Sequence, residues 1–199
     1  MEIRIRQVSK SYGEKEVWRD LNLAISPGSS TALMGASGCG KTTLLRMMMR
    51  LEEPDRGSIE GVPQRISAVF QEDRLCPGFT AAENIEMVMQ THNREELLGH
   101  LTRLGLGDSL DKPVETLSGG MKRRVAIARA YLAPSEMIFL DEPLKGLDED
   151  TKASVIAWMQ EQRQGRTVLL VTHDRGEAGR LAEQILELDA PAHSAGACS

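Results

Sequence analysis

The chain has 199 residues, of which 41% are apolar and 27% charged, so it is long enough for one substantial core and at most two subdomains. Its net charge of −5 argues against a broad nucleic-acid-binding surface. No apolar run approaches the roughly 18 residues of a membrane helix, and the strand-like N-terminus lacks a signal-peptide core, so we expect any membrane role to come through a partner. The three cysteines, Cys39, Cys76 and Cys198, lack a metal-ligand spacing and are expected to be reduced thiols.

The first third of the chain predicts strands around one helix. Alternating apolar residues predict strands over residues 3–8 and 21–25, and a short apolar run predicts a buried strand over residues 31–34. A glycine-rich loop follows, and then a predicted helix over residues 41–51 that is broken by the turn sequence at residues 54–57. Residues 66–70 predict another strand.

The middle of the chain is helical, and strand patterns return after it. Helices are predicted over residues 80–90, where Thr80 and Glu83 form a capping-box pattern, and over residues 95–104 and 118–132. Strands are predicted over residues 137–140 and 167–171, with helices between them and after residue 174. This alternation predicts an α/β fold with a mostly parallel sheet flanked by helices, into which the helical block is inserted.

A phosphate-binding pattern lies between the predicted strand over residues 31–34 and the helix that follows. It consists of Gly35, Ala36, Ser37, Gly38, Cys39, Gly40, Lys41 and Thr42, followed by Thr43. Glycines let backbone N–H groups surround phosphates, and the helix presents its positive end to the same anion. Lys41 is therefore expected to reach the β- and γ-phosphates of ATP, and Thr42 to bind Mg²⁺. The alternative interpretation is that the pattern is a chance glycine-rich turn. Cys39, which lies within the loop, is expected to be accessible to thiol reagents.

Two further motifs complete an ordered set. Asp141 ends the apolar run of residues 137–140 and can hold Mg²⁺, while Glu142 beside it can polarise an attacking water as a general base. Upstream, Ser118, Gly119 and Gly120 open a helix whose hydroxyl and N–H groups can bind a second anion. Alone, the Asp141-Glu142 motif could be an ordinary acidic loop, and the Ser118-Gly119-Gly120 motif could be a serine-capped helix.

The ordered set resembles the nucleotide-binding subunits of ATP-binding cassette (ABC) transporters across nearly the whole chain. The resemblance implies a P-loop NTPase core over residues 1–72 and 133–189 that carries a small, trimmed antiparallel β-subdomain. It also implies a helical subdomain over residues 73–132, with a loose tail at residues 190–199.

The resemblance also implies roles for further residues. Tyr12 matches the aromatic residue that stacks on adenine, Gln71 a residue that touches Mg²⁺, and His173 a histidine that contacts the γ-phosphate. The implied catalytic residues are then Glu142, His173 and Gln71, and the implied metal ligands are Thr42, Gln71 and Asp141. Singly, such a tyrosine, glutamine or histidine would more often be a packing, surface or structural residue.

The partners implied by the resemblance are a transmembrane permease that contacts residues 71–80, and a second copy of the chain. The two copies would sandwich two ATP molecules, so that Lys41 of one copy faces Ser118 of the other. A solute-binding protein would take part indirectly, nucleic acid would not, and the chain would be cytoplasmic and peripheral on the inner face of the cell membrane.

Finer features point to an importer. Residues 71–77 are similar to the segment found in importers of nitrate, taurine and aliphatic sulfonates, which implies a small anion as the solute. An ABC exporter ATPase, or a soluble ABC-type clamp in DNA repair or translation, remains the alternative. The chain departs from the family pattern at Met121, where glutamine is usual, at Lys145-Gly146, where a Ser-Ala pair is usual, and in the short interval from Lys41 to Gln71.

A basic cluster on the predicted helix over residues 118–132 could indicate nucleic-acid contact. It comprises Lys122, Arg123, Arg124 and Arg129. Given the acidic total, a solvated helix face is the interpretation favoured here.

Overall fold

The computed structural model describes residues 1–90 and 93–188, so the predicted tail at residues 190–199 lies outside the described residues. The strands are β1 (Ile3–Tyr12), β2 (Lys15–Ile25), β3 (Ser30–Met34), β4 (Arg56–Glu60), β5 (Ile66–Val69), β6 (Met137–Asp141), β7 (Thr167–Val171) and β8 (Gln184–Glu187). The helices are α1 (Lys41–Met48), α2 (Ala81–Glu86), α3 (Arg94–Arg103), α4 (Gly119–Leu132), α5 (Glu149–Gln162) and α6 (Arg175–Leu181). Within these described ranges, no helix is long and apolar enough to cross a membrane.

Two sheets form the framework, as the α/β prediction requires. Five strands make a parallel sheet in the order β5-β6-β7-β3-β8, and three strands make an antiparallel sheet in the order β2-β1-β4. The predicted mostly parallel sheet and the antiparallel sheet are therefore confirmed. The trimming of the antiparallel sheet and the domain boundaries stay predictions.

The three central strands of the parallel sheet, β6, β7 and β3, are buried along their whole length and consist mostly of apolar residues. Alternate residues of β6 enter two different hydrophobic clusters. Ile138 and Leu140 pack with the apolar residues of α4 and α5, whereas Phe139 packs with those of α1 and the antiparallel sheet. Because β3 and β6 both run parallel to β7, their carboxyl ends lie at the same edge of the sheet, where the predicted site residues begin.

The helical block shares its core with the parallel sheet. Leu97 and Leu101 of α3 and Ile85 of α2 are fully buried in the same cluster as Ile138 of β6. The predicted capping box is present at the start of α2, where Thr80 accepts from the Glu83 N–H and the Glu83 carboxylate accepts from the Thr80 N–H. Helices α2 and α3 are thus packed against the parallel sheet by continuous apolar contact.

Candidate nucleotide-binding site

A single cavity of about 560 Å³ collects most of the predicted site residues. Those that line it are Tyr12, Ser37, Gly38, Gly40, Lys41, Thr42, Thr43, Gln71, Glu142 and His173. Gly35 and Ala36 line a neighbouring cavity that shares His173. Lys15, Val17, Lys145 and Val171 also line the main cavity, although the sequence motifs did not point to them.

The phosphate loop between β3 and α1 is held by close backbone contacts. Gly40 has φ +99°, and a Cβ there would lie 2.4 Å from the Val17 side chain, so only glycine fits. The indole N–H of Trp18 donates to the Gly40 carbonyl at 3.1 Å, which ties the loop to β2. The loop is therefore built into the junction between the two sheets.

Lys41 is held inside this loop. Its Nζ donates to the carbonyl oxygens of Gly35 at 2.7 Å and Ala36 at 2.9 Å, and it lies 3.7 Å from Cys39 Sγ. Cys39 is buried, with 3% of its surface exposed, so the expectation that its thiol is accessible is wrong. The loop folds the thiol inward beneath Lys41, a placement that depends on its three-dimensional path.

Three oxygen-bearing side chains meet at the end of β6. Thr42 Oγ1 donates to Asp141 Oδ2 at 2.9 Å, and Gln71 Nε2 donates to Asp141 Oδ1 at 3.4 Å. Burial raises the pKa of the Asp141 carboxyl, against these two hydrogen bonds, which lower it. Hydroxyl, carboxylate and amide oxygens are ligands that suit Mg²⁺.

Glu142 and His173 form a hydrogen-bonded pair across the ends of β6 and β7. The Glu142 N–H donates to the Val171 carbonyl at 2.8 Å, and the residue adopts a left-handed φ of +52°. Its Oε1 lies 2.9 Å from His173 Nδ1. The hydrogen bond with Glu142 and the charge of that carboxylate raise the pKa of His173. A carboxylate and an imidazole therefore share one wall of the cavity.

Tyr12 lies at the other end of the cavity. It ends β1, its ring is about half exposed, with a relative exposure of 47%, and its hydroxyl donates to the Glu52 carboxylate. The hydrogen bond anchors the hydroxyl, and Lys10 Nζ lies over the ring at 5.5 Å from its centroid, while the exposed part of the ring is open to a flat ligand. This geometry fits the predicted role of Tyr12 as a stacking platform.

Comparison with known proteins agrees with this arrangement. Residues 18–145 match the family described as ABC transporter. This chain is a member of the ABC transporter family. It is 35% identical over 196 residues to the aliphatic sulfonates import ATP-binding protein SsuB 2 of Pseudomonas fluorescens, which covers 94% of this chain and 73% of that protein. It is 39% identical over 192 residues to the aliphatic sulfonates import ATP-binding protein SsuB 1 of Agrobacterium fabrum, and this match covers 92% of this chain and 70% of that protein.

A solved structure extends the likeness to three dimensions. The ATP-binding cassette described as the dimeric post-hydrolysis state bound to ADP and Pi matches with a TM-score of 0.82 and 29% identity. The match covers 94% of this chain and 96% of that one. The ABC cassette fold therefore accounts for nearly the whole chain.

The second anion-binding motif, Ser118-Gly119-Gly120 at the start of α4, lies apart from the nucleotide cavity of its own chain. Ser118 is exposed and caps α4, where its Oγ accepts from the Met121 N–H at 3.3 Å. Gly119 is open, whereas a Cβ on Gly120 would lie 3.3 Å from the Leu147 side chain. These three residues do not line the cavity that holds Lys41, so the predicted meeting of Ser118 with Lys41 requires a second copy.

The basic cluster on α4 is largely internal, so the interpretation as a solvated helix face is wrong. Arg123 is 5% exposed and donates to the carbonyls of Phe70 and Gln71, both at 2.6 Å. Arg129 donates to the carbonyls of Asp73 and Arg74. Arg124 bonds to carbonyls that include that of Leu104 at 2.6 Å. Backbone carbonyls that accept hydrogen bonds can hold such arginines inside the fold, and a count of charges in the sequence does not reveal these partners.

Proposed function

We propose that this chain is the ATP-binding and ATP-hydrolysing subunit of a bacterial importer for aliphatic sulfonates or related small anions. The observation that carries the proposal is the convergence of Lys41, the Thr42–Asp141–Gln71 group and the Glu142–His173 pair on one cavity. The two SsuB proteins, which are named as import ATP-binding proteins, support the direction of transport and the solute class.

ATP binding begins with the phosphate loop. Its backbone N–H groups and the start of α1 favour the phosphate anions. Lys41 exchanges its bonds to the Gly35 and Ala36 carbonyls for bonds to the β- and γ-phosphates, which are stronger because both partners are charged. Tyr12 offers its exposed ring to the adenine at the opposite end of the cavity.

Thr42, Asp141 and Gln71 would hold Mg²⁺. When bound, this ion neutralises charge that develops on the β- and γ-phosphate oxygens. The residues fit because Thr42 Oγ1 and the Gln71 amide already lie within hydrogen-bond distance of the buried Asp141 carboxylate, and because hydroxyl, carboxylate and amide oxygens suit Mg²⁺. The chain's own contribution is to fix these oxygens at the end of β6.

Glu142 accepts the proton of the attacking water, and His173 orients the carboxylate. The left-handed backbone at Glu142 turns its side chain from the strand into the cavity. His173 Nδ1, 2.9 Å from Oε1, fixes the carboxylate and can contact the γ-phosphate once ATP is present. A general base of this kind contributes about 10²- to 10⁴-fold to a rate.

A second copy completes the site. Ser118 and Gly119 are exposed at the N-terminal end of α4, so two chains packed head to tail can place them over the ATP held by Lys41. The dimeric cassette of similar structure supports this assembly. ATP would then hold the dimer together, and hydrolysis would loosen it.

The permease would dock on residues 71–80, which connect β5 to α2. Phe79 is 47% exposed and Leu75 is only partly buried, so this loop offers apolar side chains to a partner. Docking there would place the chain on the inner face of the cell membrane, with a solute-binding protein acting on the far side of the permease. The domain division at residues 73 and 132 belongs to the same proposal.

Two measurements test the proposal. Phosphate release by the purified chain with MgATP should be lost in Lys41→Ala and retained in Lys112→Ala, a lysine outside the cavity. A strain that lacks the gene should fail to grow with an aliphatic sulfonate as the sole sulfur source and should grow normally on sulfate. Full activity of Lys41→Ala would refute the ATPase assignment, and normal growth on the sulfonate would refute the solute class.

A further inference from the structure

Lys145 is a cation at the nucleotide cavity that the established motifs leave without a role. It stands where the family usually has a small residue, and it lines the same cavity as Lys41 and Glu142. Three lysines (Lys15, Lys41 and Lys145) and one carboxylate (Glu142) line this cavity, a balance that suits a polyanion.

A tight turn fixes where Lys145 starts. Its N–H donates to the Glu142 carbonyl at 3.2 Å, so the two residues are the ends of one turn. Leu144 is fully buried and Leu147 nearly so, and they anchor the turn on either side of Lys145. Gly146 has φ +82°, a left-handed conformation that glycine adopts without strain. The Lys145-Gly146 pair therefore places a lysine next to the proposed general base.

The charge of Lys145 is not paired with any carboxylate of the residues that the structure describes. The next lysine, Lys152, is held by Glu149 and Glu177, each at 3.1 Å. In the part of the chain that the structure describes, no carboxylate forms an ion pair with Lys145, which is exposed. A flexible ammonium group of this kind can turn toward a phosphate without first breaking another bond.

We propose that Lys145 binds the terminal phosphate of ATP within its own chain and makes the site prefer ATP over ADP. The inference rests on the proposed function, because it assumes that the cavity binds ATP with the γ-phosphate beside Glu142. Lys41 would serve both the β- and γ-phosphates, whereas Lys145, on the Glu142 side of the cavity, would meet only the group that hydrolysis removes. Release of that group would free Lys145 and weaken the hold on the product.

Lys15 and Lys145, which both line the cavity, provide a matched comparison. Lys15 pairs with Tyr12 across the β1–β2 hairpin and therefore lies at the base end of the cavity. Removing its charge should weaken ATP and ADP binding equally. Removing the charge of Lys145 should weaken ATP binding alone.

The experiment measures dissociation constants by calorimetry for Mg²⁺ with the non-hydrolysable analogue AMP-PNP, and for Mg²⁺ with ADP. All variants carry Ser118→Arg, so that a second copy cannot contribute to the site. We expect Lys145→Ala to weaken AMP-PNP binding about tenfold with ADP binding unchanged. Lys145→Arg should keep the preference because the charge remains, and Lys15→Ala should leave the ratio of the two constants unchanged.

Three other results would overturn the inference, and only the first of them would also overturn the proposed function. If the parent protein binds neither nucleotide, the proposed function fails and the inference fails with it. If the parent binds both and Lys145→Ala keeps the parental ratio, the inference is overturned while the proposed function stands. If Lys145→Ala changes only the dimerisation of chains with native Ser118, the lysine acts on the partner and the inference is again overturned.

Discussion

Replacing Arg123 by methionine should lower the free energy of unfolding by about 3 kcal/mol. The guanidinium donates to the Phe70 and Gln71 carbonyls at 2.6 Å each and lies 3.2 Å from the Asp73 carboxylate. Removing one partner of a buried ion pair costs about 3–5 kcal/mol, and the low end applies here because the Asp73 side chain is 25% exposed. Arg123→Lys should cost less than Arg123→Met but still lower the stability, because the positive charge remains while the planar guanidinium that reaches both carbonyls is lost.

The stability lost in Arg123→Met should depend on pH, because Arg123 affects the pKa of the Asp73 carboxyl. Burial raises the pKa of Asp73, and the charge of Arg123 opposes this rise. A raised folded-state pKa means that the protonated carboxyl favours folding and that this contribution disappears as the pH rises through that pKa. Without Arg123 the pKa rises further, so Arg123→Met should lose less stability at about pH 5 than at neutral pH.

Urea unfolding followed by circular dichroism measures both effects. Asp73→Asn combined with Arg123→Met should cost less than the sum of the single changes, because the stranded charge is gone. A loss below about 0.5 kcal/mol in Arg123→Met would refute the stabilising role assigned to the Arg123 contacts. An equal loss at both pH values would refute the part assigned to Asp73.

Three further predictions concern the site and its surroundings. Glu142→Gln should bind MgATP but hydrolyse it at least about 100-fold more slowly, and should form a dimer on size-exclusion chromatography that Ser118→Arg abolishes; hydrolysis at the wild-type rate would disprove the general-base role. Cys76, which is half-buried, should be alkylated before the buried Cys39 when the labelled peptides are followed by mass spectrometry, and the reverse order would contradict the described loop. Phe79→Arg should abolish co-purification with the permease while basal ATPase activity remains, and intact co-purification would place the docking surface elsewhere.

The sequence predicted the elements with strong patterns and missed those without them. Buried strands such as β6 are uninterrupted apolar runs, and α4 begins at the predicted serine cap. By contrast, β4 has the sequence Arg-Gly-Ser-Ile-Glu, with one large apolar residue, and β8 is mostly exposed. Both lie at sheet edges, where pairing with a neighbour decides the structure and local sequence carries little signal.

The site residues also divide into those that the sequence predicted and those that it missed. The phosphate loop was predictable because its residues are contiguous and because its glycines, Lys41 and Thr42 each have a chemical reason for their place. Lys15 and Lys145 were not, because they reach the cavity only when β2 and the turn after β6 come together. The environment of Arg123 was missed because its carbonyl partners lie more than 50 residues away along the chain.

The hydrogen bond from Trp18 to Gly40 gives the protein a built-in optical reporter. One of the two tryptophans touches the phosphate loop directly, while the other, Trp158, is buried against His100 and Tyr131 on the opposite face of the parallel sheet. Any rearrangement of the loop around a nucleotide changes the surroundings of the first indole and leaves those of the second untouched. Emission from Trp18 in a Trp158→Phe background therefore follows occupancy of the site without a label.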